Sequence, residues 1–412
     1  MEESINIAVA VFNRATYARV KTVISEMILD KDINPTLIAG SGLLDKEYGN
    51  GIDVIEKEFP MLKIVKLGYT SYKNNPCRVN LVSADIQKEI SLHLKTNTYH
   101  SALVIADRFE TLPAAMAFTY HGIPLMHLQG GEVTGNIDER VRHAVTKLSD
   151  YHFACTKLAK KYIVAMGEES NRVQFTGCPS MDLVRRHRIQ RNTPKERYFM
   201  CVFHPDTETL EDQVAQTTEV LNAVIDYCAK YGAKCYWYWP NPDKGREQVL
   251  EVIKTAHKQY SAFLKKAINQ PPLDFLKQLS GARFIMGNSS VGLRECTYIG
   301  VPSINIGDRQ SIRERGINVI DVEPETSMIF QAMEAQNAVH KYEKNYMFGD
   351  GMAGKNIANF IKKFIWSKKG PITYPYKWEF KREHFEHERA KRHAYRDAGP
   401  RIKGRMEDWR AI

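Results

Sequence analysis

Three carboxylates (Glu132, Asp138, Glu139), two arginines and two histidines fall within the 17 residues His127-Leu128-Gln129-Gly130-Gly131-Glu132-Val133-Thr134-Gly135-Asn136-Ile137-Asp138-Glu139-Arg140-Val141-Arg142-His143. Carboxylates and imidazoles at this density can move protons, and guanidinium groups beside them can hold an anion. The adjacent glycines Gly130 and Gly131 let the backbone approach a ligand closely. The stretch follows an apolar run, Ile123 to Met126, that reads as a buried strand, and it precedes Ala144 to Leu148, which reads as a helix. A strand-to-helix crossing of this kind is where α/β folds place ligands. The alternative is a Gly-rich turn with solvated charges.

A second constellation is Gly287-Asn288-Ser289-Ser290-Val291-Gly292-Leu293-Arg294-Glu295. It reads as strand, small-residue turn and helix start, where free N–H groups and the positive helix end attract an anion. With two serine hydroxyls added, the arrangement suits a diphosphate, and Glu295 lies close enough to reach the hydroxyls of a sugar attached to it. The Walker spacing and its lysine are missing, so it is not a P-loop, and no GxGxxG follows the first strand. Other polar side chains also stand at strand ends: Arg14 after Ile5–Phe12, Asp107-Arg108 after Ser101–Ala106, and His204 after Tyr198–Phe203. Arg309, Arg313 and Arg315 share one loop, where they would neutralise phosphate oxygens if turned inward.

The elements that must position these groups alternate strand and helix throughout, which predicts parallel sheets with helices on both faces. Further strands are read at 35–40, 61–67, 151–155, 173–176, 234–239, 284–286 and 301–306. Helices are read at 17–29, 79–94, 110–121, 157–166, 210–231, 324–341 and 355–365. The 412 residues exceed the size at which one core keeps growing, so two domains are expected. Apolar periodicity lapses and charge gathers over 186–197, read as a linker between domains 1–185 and 198–366. Seven scattered cysteines without a CxxC pair argue against zinc sites and disulfides and for a reducing, cytoplasmic setting. No run approaches the ~18 apolar residues of a membrane span. Net charge is +10, and residues 367–412 hold 13 Lys/Arg against 7 Asp/Glu. That basic extension, with aromatics such as Tyr374, Trp378 and Phe385, fits a DNA or RNA partner, a solubilising tail or an oligomer clasp.

Taken together, these blocks resemble the UDP-N-acetylglucosamine 2-epimerase family, most closely its hydrolysing branch that starts sialic-acid synthesis. The resemblance spans about residues 5–366. It rests on Asn13-Arg14, Asp107-Arg108-Phe109, 127–148, Gly177-Cys178-Pro179-Ser180, His204-Pro205, Pro240-Asn241, Gly287 through Glu295, Arg309-Gln310 and Gly349-Asp350-Gly351. It implies a GT-B-like architecture, two Rossmann-like domains whose parallel sheets face a central cleft, with the second domain holding UDP and no metal or cofactor needed. On that resemblance Gly287, Asn288, Ser289, Ser290 and Asn241 bind the nucleotide, Glu295 its ribose, and Arg309, His204 and Arg14 the phosphates. Asp107, Glu132 and Asp138 handle protons or the sugar, with Arg108 among the catalytic residues, and Gln129 and Arg142 help bind the UDP-sugar. The implied reaction is elimination of UDP across C1–C2, followed by addition of water to give N-acetylmannosamine. Relatives imply a homo-oligomer. Two positions depart from the family: Ala106 stands where it often has Gly, and Gln129 where several members carry Glu. These departures and the tail open a second reading, a glycosyltransferase acting on a nucleic-acid acceptor, and a third, a non-catalytic nucleotide-sugar sensor.

Overall fold

Near-continuous runs of β-branched and aliphatic residues, buried on both faces, build two wholly parallel sheets. The computed structural model describes residues 4–45, 51–72, 75–135, 137–192, 197–205, 212–240, 245–267, 270–310 and 312–366. The first sheet contains β1 (Ile5–Val11), β2 (Ile33–Ala39), β3 (Lys63–Lys66), β4 (Ser101–Ile105), β5 (Leu125–Leu128), β6 (Tyr151–Ala154) and β7 (Val173–Phe175) in the order 3-2-1-4-5-6-7. The second contains β8 (Tyr198–Val202), β9 (Lys234–Tyr238), β10 (Leu264–Ala267), β11 (Ile285–Gly287), β12 (Ser303–Ile306) and β13 (Val319–Val322) in the order 10-9-8-11-12-13. Connecting helices are α1 (Arg14–Leu29), α2 (Gly51–Glu58), α3 (Arg78–Leu94), α4 (Thr111–Tyr120), α5 (Ile137–Leu148), α6 (Lys157–Ala165) and α7 (Ser180–Arg186) in the first half. The second half has α8 (Gln213–Tyr231), α9 (Arg246–Gln259), α10 (Pro272–Gly281), α11 (Ser290–Leu293), α12 (Glu295–Ile299), α13 (Thr326–Ala338) and α14 (Ala353–Trp366). No helix among the described residues is long and apolar enough to cross a membrane.

Each sheet packs its own core. In the first, Val82, Ile86 and Ile90 of α3 and Phe118 of α4 close over Ala8, Ala10 and Val104. In the second, Phe199 and Phe284 stack at 4.9 Å beside the buried Trp237. The last helix returns to the first half. The Asp182 carboxylate accepts from the Ala353 and Gly354 N–H groups at 2.9 and 2.7 Å, satisfying two orphan donors of α14. Phe360 then meets Tyr151 and Phe153 edge-on.

Two differences from the sequence reading have local causes. Strands β10 (LKKA) and β13 (VIDV) were not foreseen. Both are edge strands, short and interrupted by charge, as edges must be to avoid pairing with another chain. Helix α5 begins at Ile137, seven residues before the expected start. Asp138 and Glu139 lie in its first turn, where carboxylates complement the helix dipole. Glu139 Oε2 also accepts from the N–H groups of Thr134 and Gly135 at 2.5 and 2.7 Å, so the charged stretch is in large part helix rather than turn.

Candidate functional site

Strand order reverses between β1 and β4 in one sheet and between β8 and β11 in the other. Ligands in open α/β sheets bind outside the carboxyl ends of strands at such points. Arg14 follows β1 and Asp107 follows β4, while His204 follows β8 and Asn288-Ser289-Ser290 follow β11. The two edges meet: Arg294, between α11 and α12, donates from Nη2 to Glu132 Oε1 and Oε2 at 2.8 and 2.5 Å.

The first half supplies an acidic cluster on a rigid frame. At the end of β4 the chain turns out of the sheet through Ala106, whose φ is +58°. Nε2–H of His127 donates to the Ala106 carbonyl (2.9 Å), and the Thr146 hydroxyl donates to Nδ1 (3.1 Å). This tautomer follows from the hydrogen-bond pattern. Burial pushes His127 down to about 3, so it stays neutral and acts as a strut. Asp107 follows at once. Its Oδ2 accepts from Nε of Arg142 (2.9 Å) and from Nη2, while no hydrogen bond falls on Oδ1 among the described residues. Burial alone would raise the Asp107 carboxyl, but Arg142, then Arg19 and Arg313, outweigh it and hold the group well below the usual carboxylate range. Arg142 is fully buried, and it also donates from Nη1 to the Glu132 carbonyl and from Nη2 to the Thr134 hydroxyl. Expected at the UDP-sugar, Arg142 donates in this structure to Asp107 and the Glu132 backbone.

Glu132 is also kept ionised. Burial opposes this, but Arg294 leads a group of arginines that lower it, with Arg313 Nε 3.8 Å from Oε2. Asp138 is moved the other way: burial first, and then the charge on Asp107, raise it. Of these three carboxyl groups of the first half, two are therefore biased to stay ionised and one to keep its proton. Gln129 (φ +68°) accepts from Arg19 Nη1 at 3.1 Å and donates to Cys178 Sγ at 3.4 Å. Arg108 lies along its own turn, 3.6 Å from Glu110 and over the Phe109 ring.

The second half supplies a small-residue turn. Gly287 (φ +127°) ends β11, and a Cβ there would sit 2.2 Å from the Val202 carbonyl oxygen, so only glycine fits. The Asn288 side chain ties the turn to the end of β8, accepting from the His204 N–H and donating to the His204 carbonyl, both at 2.8 Å. Burial, with Arg309 adding repulsion, pushes His204 down to about 3 and keeps it neutral. Ser289 is the N-cap of α11, which starts at Ser290. Arg309 Nη1 and Gln310 Nε2 both donate to the Asn288 carbonyl, at 3.1 and 3.2 Å, which places Arg309 against the turn. Burial, then Cys178, pushes Glu295 up to about 7. Arg14 starts α1 at the β1 end and is exposed. Asn241 and the extension 367–412 lie outside the described residues.

Sequence reasoning named Arg294 without giving it a role, expected Arg313 on phosphate oxygens if turned inward, and passed over Arg19. Arg313 is turned inward toward Glu132, whereas Arg315 pairs with Asp321. Arg19 is one arginine on an amphipathic helix, and spacing alone does not mark it. The Ala106 departure also gains a physical meaning, since its left-handed backbone favours glycine. Ala106→Gly is expected to raise stability by about 0.5–1 kcal/mol, read as a higher denaturation midpoint, with activity retained.

A pair of parallel sheets, with an acidic cluster at the strand ends of one and a glycine-serine turn at those of the other, makes this a two-sheet α/β protein built to take a ligand at its strand ends. The chain belongs to the UDP-N-acetylglucosamine 2-epimerase family, whose model matches residues 30–362. It is 30% identical over 371 residues to polysialic acid biosynthesis protein P7 of Escherichia coli, covering 86% of this chain and 93% of that protein. It is 26% identical over 366 residues to UDP-N,N'-diacetylbacillosamine 2-epimerase (hydrolyzing) of Legionella pneumophila, covering 85% and 93%. In fold it is similar to the UDP-GlcNAc 2-epimerase of Neisseria meningitidis crystallised with UDP-GlcNAc, with TM-score 0.71, 18% identity, and coverage of 87% of this chain and all of that one.

Proposed function

We propose that the chain is a hydrolysing UDP-N-acetylglucosamine 2-epimerase, with residues 1–185 acting on the sugar and 198–366 holding UDP. The observation that carries this reading is the cluster in which Arg142 holds Asp107 by one oxygen and Arg294 grips Glu132 from the other half, with the carboxyl groups biased in opposite directions. Asp107, ionised and with Oδ1 open, takes the proton from C2. The C1–O bond to UDP breaks as the C1=C2 double bond forms, and Arg309 and Arg14 stabilise the departing diphosphate. Water then adds to C1 and gives its proton to Glu132, whose oxygens keep lone pairs beyond the Arg294 bonds. Asp138 delivers a proton to C2 on the opposite face. The net change is UDP-sugar plus water to UDP plus free N-acetylmannosamine. The hydrolysing relative from Legionella supports water as the second reactant.

The test is incubation with a panel of UDP-sugars, including UDP-N,N'-diacetylbacillosamine, in deuterated water and in ¹⁸O-water. Deuterium at C2 and ¹⁸O at C1 of a free sugar are expected. Product that keeps its nucleotide, or ¹⁸O in UDP, contradicts the reading.

Nucleotide binding has its own pH signature. The ribose diol donates to a carboxylate, so UDP binds better to ionised Glu295. Its group sits near 7, so affinity falls as pH drops through that value, by up to about tenfold per pH unit. Glu295→Gln is expected to weaken UDP about tenfold at pH 8 and to flatten the pH dependence in calorimetric titrations. Ser290→Ala should weaken UDP by a smaller factor without altering that dependence.

A further inference from the structure

A cavity of about 240 Å³ opens at the opposite edge of the second sheet, where β8 and β9 begin. Strand β8 is five residues long, which puts the cavity roughly 17 Å from its His204 end. Nothing in the proposed reaction uses it. Its polar side chains are rich in donors: two arginines, a histidine and three tyrosines, with the amide of Asn337. Arg197 and Arg283 line it, and neither has a carboxylate partner among the described residues. Arg283 Nη1 donates to Nδ1 of His340 at 2.8 Å, which puts the proton of the neutral ring on Nε2 and makes that atom a further donor. Tyr227 is 2% exposed and lines the cavity, and its hydroxyl has no hydrogen-bond partner among the described residues. The neighbouring Tyr231 hydroxyl is taken by Glu334.

The frame behind these groups is fixed. Arg191 donates to the carbonyls of Ser280, Ala282, Arg283 and His340 at 2.8, 2.5, 3.1 and 3.0 Å. One guanidinium thus sets the backbone of two lining residues and adds a half-buried positive charge. The Tyr227 and Tyr231 rings, 4.7 Å apart, supply an apolar wall.

We propose that this cavity is a second ligand site, for a phosphate group carried on a small ring. Two guanidiniums, an imidazole N–H and a phenol among its lining residues take the oxyanion, since arginine forks match phosphate oxygens, and the ring lies against the tyrosines. The site works independently of the cleft.

The test is calorimetric titration of the full chain with inorganic phosphate, phenyl phosphate and acetate at constant ionic strength, with and without excess UDP. One phosphate per chain should bind in the presence of UDP, phenyl phosphate more tightly and acetate more weakly. Arg283→Gln should weaken phosphate at least tenfold and Tyr227→Phe about threefold, with sugar-nucleotide turnover unchanged in both. Tyr227→Phe keeps the ring, so a loss there is not a loss of fold, and melting curves check Arg283→Gln. Unchanged phosphate affinity in both variants, no binding beside UDP, or acetate binding more tightly than phosphate overturns the proposal.

Discussion

Asp107→Asn is expected to bind UDP with near wild-type affinity and to turn over UDP-N-acetylglucosamine about 10²–10⁴-fold more slowly, the usual worth of a positioned proton-transfer group. An amide cannot take the C2 proton at any accessible pH. The side proposed to hold the nucleotide is untouched, because Asn288, Ser289 and Arg309 are built on the other sheet. Two further consequences separate a catalytic role from a structural one. Arg142 loses the anion that its guanidinium grips, and removing one partner of a buried pair costs roughly 3–5 kcal/mol, so melting must be measured beside turnover. The charge on Asp107 also helps raise Asp138. Without it the Asp138 carboxyl falls, so the alkaline limb of any residual pH–rate profile should move to lower pH. Deuterium exchange at C2 should disappear together with turnover. Normal exchange in a folded Asp107→Asn protein would take the base assignment away from this residue.

How much of this was legible in the sequence differs between the scaffold and the site. Strands such as Ile5–Val11 and Ser101–Ile105 are apolar on both faces, as parallel strands covered by helices must be, and they stand out at once. Edge strands β10 and β13 do not, because the charges that protect an edge also erase its pattern. In the site, Asp107, Glu132 and the Ser289-Ser290 turn were visible because each sits next to a strand end, where chain order and ligand edge coincide. Arg294 and Arg19 act across the fold, Arg294 on a residue 162 positions away and Arg19 on one 110 away. No local spacing encodes such a pairing. The same holds for the proton bias of the carboxyls. Asp107 and Asp138 are chemically identical residues, and their opposite shifts come from the arginines and burial that tertiary structure places around them.

Arg294 gives the second large effect. Its guanidinium touches both oxygens of Glu132 and is 3% exposed, and it lies on the opposite half of the chain from its partner. It is the leading attraction offsetting the burial of Glu132. If Glu132 accepts the proton of incoming water, it must be ionised, so activity falls as pH drops through its depressed value. Removing Arg294 lets burial prevail, and the Glu132 carboxyl rises. The acid limb of the pH–rate profile in Arg294→Gln should therefore move up by about one to two pH units, the usual effect of losing a close opposite charge. At neutral pH turnover should drop further because Glu132 is also no longer held in place. Arg294→Lys keeps a charge but loses the fork, so its limb should move less, and the lysine variant should fold where the glutamine variant is destabilised. In Glu132→Gln the acid limb belonging to this group should vanish, and adding Arg294→Gln should change the profile little further. An acid limb that stays put in Arg294→Lys and Arg294→Gln, with kcat lowered evenly at all pH values, would reduce Arg294 to a structural clasp between the two halves.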